Sequence, residues 1–230
     1  MTSVLLAVPT IPERFPRREG LEKLWRERTP EADLEIVYSE AGTTWSSGLN
    51  DIWAQVRDNP PDVFVFGSDD MMPADERWLP SALSMIEQGY VPAPLVEDPR
   101  FSTCGGHATN VPVGTPADMT AFIIIDGKWG EDVFPLPDDL AYFADNLSCL
   151  KLRKAGHRIV CAPECRIIHL HAAEGRGFGF GSENMRLHID TVRYTRILEK
   201  MGLDRAMLPP GLRGGMFEEH FQEIGRALGA

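Results

Sequence analysis

The sequence has no apolar stretch of the roughly 18 to 20 residues that a membrane-spanning helix needs. Its first residues, Met1 to Pro9, lack the basic leader and long apolar core of a signal peptide, so the expectation is a cytoplasmic chain with no membrane span. Cysteine is scarce: Cys104, Cys149, Cys161 and Cys165 are the only four in 230 residues. That is too few for a disulfide framework, and reduced thiols are expected. Positive charge is in deficit as well. A net charge of -11 and a pI near 5.0 argue against broad attraction to a polyphosphate backbone or an anionic membrane. Internal repeats and low-complexity tracts are absent. A glycine-rich phosphate loop is also missing after the first apolar run, which ends in Pro9-Thr10-Ile11-Pro12. That speaks against a phosphotransferase or nucleotidyltransferase built on such a loop.

What is present is an ordinary globular composition, 43% hydrophobic and 25% charged, with enough apolar material for one core. Short apolar runs alternate with helical stripes. Val4 to Val8, Leu34 to Tyr38 and Asp62 to Phe66 read as buried strands. Between them, Leu21, Leu24, Trp25 and Arg28 follow Pro16 at helical spacing. Leu49, Ile52, Trp53 and Val56 form a second stripe, with Ser46 or Ser47 able to cap it. A third helix is expected over about Ala74 to Gln88. Strands alternating with helices predict a mainly parallel, Rossmann-like sheet covered on both faces. Pro92 to Pro116 reads as a long loop excursion. Met119 to Asp126 then returns to strand, and Leu140, Phe143, Leu147 and Leu150 mark a helix ending near Ala155-Gly156. Arg158 to Ala162 and Arg166 to Leu170 are two short strands around Pro163. Ala173 to Ser182 carries four glycines. Helices over about 185–200 and 217–228 close the chain. The expected organisation is an α/β domain over 1–182 with a C-terminal helical extension, 183–230, packed on it.

In parallel α/β sheets, ligands sit beyond the carboxyl ends of the strands. The third strand ends in Ser68-Asp69-Asp70, two adjacent carboxylates that repel unless a cation stands beside them. A divalent cation bridging to a diphosphate supplies that charge, and hard oxygen ligands suit magnesium or manganese. The alternative is an aspartate capping the turn into the next helix. Arg14, Arg17, Arg18, Lys23, Arg26 and Arg28 cluster near the N-terminus, as a diphosphate site or a solvated helix face requires.

The ordered set of motifs resembles a family 2-type glycosyltransferase of the GT-A fold. The resemblance is carried by Val4-Leu5-Leu6-Ala7-Val8-Pro9-Thr10 and by Val63-Phe64-Val65-Phe66-Gly67-Ser68-Asp69-Asp70. Ala144-Asp145-Asn146-Leu147 follows, then Leu152-Arg153-Lys154-Ala155-Gly156-His157-Arg158-Ile159 and Pro163-Glu164-Cys165-Arg166-Ile167-Ile168-His169. The resemblance spans about residues 3 to 170. It implies transfer of a sugar from a nucleoside diphosphate sugar, UDP-linked by preference, to an acceptor hydroxyl with inversion. Manganese or magnesium would be the cofactor. Pro9, Thr10, Arg14, Glu40, Asn50 and Asp69 are assigned to the donor, with the base near Glu40. Asp70 and His169 are assigned to the metal, and Asp145 to deprotonation of the acceptor. Ala144-Asp145-Asn146-Leu147 departs from the Glu-Asp pair followed by a second Asp that is common in the family. The Gln-x-x-Arg-Trp motif of processive synthases is absent, which argues against polymer synthesis.

Read from the residues alone, Asp145 is equally a helix cap, and Asp138 and Asp139 are caps at the start of that helix. His169 and His171 alternate with Ile168 and Leu170 and so share one side of a strand. Cys161, Cys165, His169 and His171 lack the spacing of a compact zinc finger. Gly175 to Gly181, with Arg176, reads as a loop closing over donor phosphates or as a plain solvent loop. Trp45, Trp129, His107 and Asn110 are acceptor-side candidates. The acceptor itself, whether saccharide, protein, small molecule or modified nucleobase, is not legible, and neither is the oligomeric state. The rival reading is a catalytically silent nucleotide-sugar binding module.

Overall fold

A computed structural model describes residues 1–9, 18–39, 44–97, 102–140, 144–170 and 193–201. Strand β1 (Thr2–Val8) runs parallel to β2 (Ala32–Tyr38) on one side and to β3 (Val63–Phe66) on the other. Helices α1 (Arg18–Glu27) and α2 (Trp45–Val56) make the connections. After β3 the chain turns into the three-residue β4 (Met71–Pro73), then α3 (Trp78–Glu87), β5 (Tyr90–Glu97) and the two-residue β6 (Thr103–Cys104). Strand β7 (Ile123–Asp126) returns antiparallel beside β3. A single 3-10 turn and the short α4 (Gly130–Val133) follow, then α5 (Ala144–Lys154) and the long β8 (Arg158–His169). Residues 193–200 are helical. No described helix is long and apolar enough to cross a membrane.

The strands form two hydrogen-bonded sheets, β2-β1-β3-β7 and β4-β8-β5-β6, which meet where β5 packs on β7. The sheet is thus mixed, with β4, β6 and β7 antiparallel to their partners. Side-chain alternation shows why the whole still behaves as one layer. Leu5, Phe64, Ile125, Ala93 and Cys161 point to one core, together with α2 and α5. Their neighbours Leu6, Val65, Ile124, Val96 and Val160 point to the other, together with α1 and α3. Period-two alternation between two apolar faces is what a sheet covered on both sides requires.

Three expectations need correcting. Pro92 and Pro94 do not begin a loop; they lie inside β5, which is buried along most of its length. Proline is tolerated in a strand where its missing N–H faces no partner. Residues 92 and 94 share one edge of β5, whose ladder to β8 nonetheless includes both. On the other edge β6 pairs only with Leu95 and Val96, beyond both prolines. Likewise the two short strands around Pro163 are one strand. Pro94 pairs with Ala162 and Leu95 with Arg166, so Pro163, Glu164 and Cys165 form a bulge within β8. The third helix is also shorter than expected, because it starts only at Trp78.

Candidate active site

Strands β1, β2 and β3 all end on one rim. Ser39 donates its N–H to Val8 O, and Gly67 donates to Ala7 O, at 3.2 and 2.7 Å. The rim is tight: a Cβ on Gly48 would stand 2.7 Å from Ser39 Oγ and 3.3 Å from Pro9 Cβ. Glycine at 48 therefore lets the first turn of α2 approach the strand ends. Asp69 and Asp70 follow directly, both buried, at 6% and 7% exposure.

What brings a third polar group to this corner is the pairing of β4 with β8. Met71 stands opposite His169, and Leu170 donates its N–H to Asp70 O at 2.8 Å. The ladder carries His169 Nε2 to 3.6 Å from Asp70 Oδ2. Ser68 Oγ donates to Asp70 Oδ1, so the two carboxylate oxygens have different partners. Ser68 had no role in the sequence reading, although its place two residues before Asp70 is the signal for such a bond. β4 is held from behind by α1. Trp25 Nε1 donates to Met71 O at 3.1 Å, and Arg28 donates to Pro73 O. Arg26 donates to Leu34 O, and Lys23 pairs with Glu27 on the surface. The described basic residues of α1 therefore serve packing and solvation more than a diphosphate. Arg18 differs, because its guanidinium lies 4.2 Å from the centre of the Tyr38 ring at the end of β2. Burial, with Glu22 and Asp69 nearby, pushes the Tyr38 hydroxyl well above its ordinary pKa.

A second group is assembled from α2 and the loop 136–140. Thr44, rather than Ser46 or Ser47, caps α2, and it also donates to Asp138 O. Ser46 Oγ donates to Leu140 O at 2.6 Å. Asn50 brackets Leu136, accepting its N–H at 2.8 Å and donating to its carbonyl at 2.7 Å. It also donates to Asp138 Oδ1 at 2.7 Å. The structure thus gives Asn50 a job the sequence did not suggest, fastening the chain that leads into α5. Asp138 and Asp139 are likewise loop anchors rather than caps within α5, since Asp138 takes Asn50 and Asp139 takes Arg193.

Asp145 stands in the first turn of α5. Its Oδ1 accepts the Asn146 N–H at 2.9 Å. Burial pushes its carboxyl up to about 6, against the opposing pull of the Asn146 N–H and its own. A carboxylate that titrates close to neutrality is suited to general base work.

Other candidates lie elsewhere. Trp129 stacks against His157 at 4.6 Å, just after β7, whose last residue pairs with the first residue of β3. That is the end of the sheet opposite Asp69. Trp45 packs 6.2 Å from Phe66 near the rim. His107 closes a turn with Cys104 and contacts Pro116 O at 2.9 Å, while Asn110 is exposed. Among the described residues no three His, Cys, Asp or Glu side chains converge as a metal cluster. The four cysteines are buried free thiols. Thr10, Arg14, Glu40, His171 and the Gly175 to Gly181 stretch lie outside the described residues.

The architecture is that of GT-A glycosyltransferase catalytic domains. Among solved structures, the chain resembles the mannosyltransferase PcManGT from Pyrobaculum calidifontis in complex with GDP-Man and Mn2+. The TM-score is 0.57 at 15% identity, covering 99% of this chain and 80% of that one. It also resembles the catalytic domain of Drosophila beta1,4-galactosyltransferase 7 in complex with xylobiose, with a TM-score of 0.52 at 11% identity. That match covers 76% of this chain and 74% of the other. No protein-family model matches the chain, and no curated protein matches it in sequence. The likeness is one of fold.

Proposed function

We propose that this protein is a metal-dependent, non-processive glycosyltransferase that moves a sugar from a nucleoside diphosphate sugar to an acceptor hydroxyl with inversion. The observation that carries the reading is the β4–β8 ladder, which joins Asp69, Asp70 and His169 at the carboxyl rim of a GT-A sheet. An oxygen and an imidazole nitrogen 3.6 Å apart suit manganese or magnesium, which is commonly held by one or two side chains plus substrate phosphates. Asp70 and His169 would hold the ion. When bound, its charge neutralises the departing diphosphate. That the solved mannosyltransferase contains GDP-Man and Mn2+ supports this chemistry.

The donor lies along the ends of β1 to β3. Pro9, Thr10 and Asp69 contact the nucleoside side, Glu40 the base and Arg14 the diphosphate. Asn50 contributes by holding the loop 136–140. Asp145 accepts the proton of the acceptor hydroxyl as that oxygen bonds to the anomeric carbon. The bond from that carbon to the diphosphate oxygen breaks, and its electron pair leaves with the nucleotide. The raised Asp145 carboxyl is the feature that favours it as base over a mere cap. UDP-sugars are the favoured donors, and the cytoplasm is the expected compartment.

A thermal-shift screen of UDP-glucose, UDP-galactose and GDP-mannose, each with and without manganese, tests the reading. Stabilisation that requires both sugar nucleotide and metal is expected. Absence of any joint stabilisation across a wider panel would overturn the donor assignment. Binding without metal-dependent release of nucleoside diphosphate would instead identify a silent binding module.

A further inference from the structure

The segment beyond residue 182 reads in sequence as an appendage, yet its described part reaches the acceptor half of the site. Tyr194 and Leu198 are 2% and 1% exposed. They belong to the core cluster that contains Ala144, Leu147 and Cys149 of α5. Arg193 reaches the loop 136–140 twice: its NH1 donates to Asp139 O at 2.8 Å, and its Nε lies 3.2 Å from Asp139 Oδ2. The opposite side of that loop is the one fastened by Thr44, Ser46 and Asn50. The loop therefore lies between the α2 amino terminus and the 193–200 helix just before α5 begins.

We propose that the C-terminal helix is a wall of the catalytic site, in which Tyr194 shields Asp145 from water and the Arg193–Asp139 clasp sets the wall in place. Both are positioning residues. The inference rests on the reading of Asp145 as the base. Among the described residues, Cys149 on its own helix and Tyr194 from the C-terminal helix each feel the Asp145 charge, and Arg153 on the same helix acts on Cys149 as well. The raised Asp145 carboxyl is a consequence of burial, and Tyr194 is buried in the core cluster that holds its helix neighbours Ala144 and Cys149. Exposed ion pairs contribute little to stability on their own, so the clasp is expected to act on geometry rather than on folding.

The test is metal-dependent turnover, measured as nucleoside diphosphate release from the donor that stabilises the full chain with manganese, across pH 5 to 8. Arg193→Gln, at a partly exposed position, is expected to lower kcat about tenfold with donor KM unchanged, and Arg193→Lys to restore most of it. Tyr194→Leu is expected to move the acidic limb of the profile down by about one pH unit, toward the ordinary carboxylate range. Wild-type kcat in Arg193→Gln together with an unmoved limb in Tyr194→Leu would overturn the proposal. Asp145→Asn in the same assay separates the two readings. If it turns over normally, the base assignment fails first. If it is inactive while the Arg193 and Tyr194 variants behave as wild type, the wall alone fails. Should Tyr194→Leu not fold, Arg193→Gln and its lysine rescue still decide the matter.

Discussion

At the scale of single residues, the carboxylates have separate environments and therefore separate tests. Asp145 sits about two pH units above its ordinary value of 3.8, at about 6, because burial disfavours its charge. The folded state thus holds this proton more tightly than the unfolded chain does. No stability is lost to this group below about pH 4. The cost of ionising it inside the fold grows between 4 and 6 and is complete above that. Asp145→Asn should accordingly melt like wild type near pH 4 and higher than wild type at pH 8 in the absence of ligands. The same variant should lose about 10² to 10⁴-fold in turnover if Asp145 is the base. A variant that is both more stable at pH 8 and inactive is the signature of a functional carboxylate, whereas a helix cap would lose stability on replacement. Asp70 is predicted to behave differently. Asp70→Asn keeps a group that Ser68 can still reach but removes the charge beside His169. Manganese-dependent stabilisation by UDP or GDP should disappear, with metal-free melting little changed.

At the scale of elements, close approach sets what substitutions the framework allows. Gly127 follows β7, and a Cβ there would lie 2.0 Å from the backbone oxygen of Pro61. A backbone atom cannot swing aside, so Gly127→Ala is expected to cost about 1 to 3 kcal/mol through overpacking. Urea denaturation would register it as a lowered midpoint with little change in slope. The same scale shows what was legible in advance. Strands β1 to β3 and helices α1 and α2 follow from uninterrupted apolar runs and stripes, because local pattern and final environment agree there. Strand β5 does not follow, since its two prolines are turn signals unless a neighbour leaves one edge unpaired. The partner that makes it a strand, β8, lies far along the chain. The pairing of β4 with β8 is hidden for the same reason. Three residues carry no periodic signal of their own, and only the ladder to Ile167–His169 makes them a strand. The resemblance already assigned Asp70 and His169 to one metal, but the ladder that brings them to 3.6 Å has no local signal in the sequence. The hydrogen bonds of Asn50 are hidden in the same way. Its partners, Leu136 and Asp138, lie more than eighty residues away.

At the scale of the whole molecule, the question is whether the chain beyond residue 182 is an accessory or part of one cooperative unit. The buried ring of Tyr194 and the buried side chain of Leu198 favour the second. Both fill the core that α2, α5 and the sheet share, and a vacancy there would be felt on every side because interiors are close-packed. Leu198→Ala should therefore cost about 2 to 5 kcal/mol, the range for emptying a fully buried aliphatic site. The form of the loss is more informative than its size. If the helix is integral, urea unfolding followed by tryptophan fluorescence and by far-ultraviolet circular dichroism should shift together and remain one transition. Fluorescence reports on Trp25, Trp53 and Trp78, all buried well away in sequence from residue 198. An accessory helix would instead fray alone, lowering helical signal at mild denaturant while the tryptophans stayed in their native setting. Coincident transitions would mean that the acceptor half of the site cannot be separated from the C-terminal helix. A shortened chain ending at residue 182 would then fold poorly and would not serve to measure donor binding.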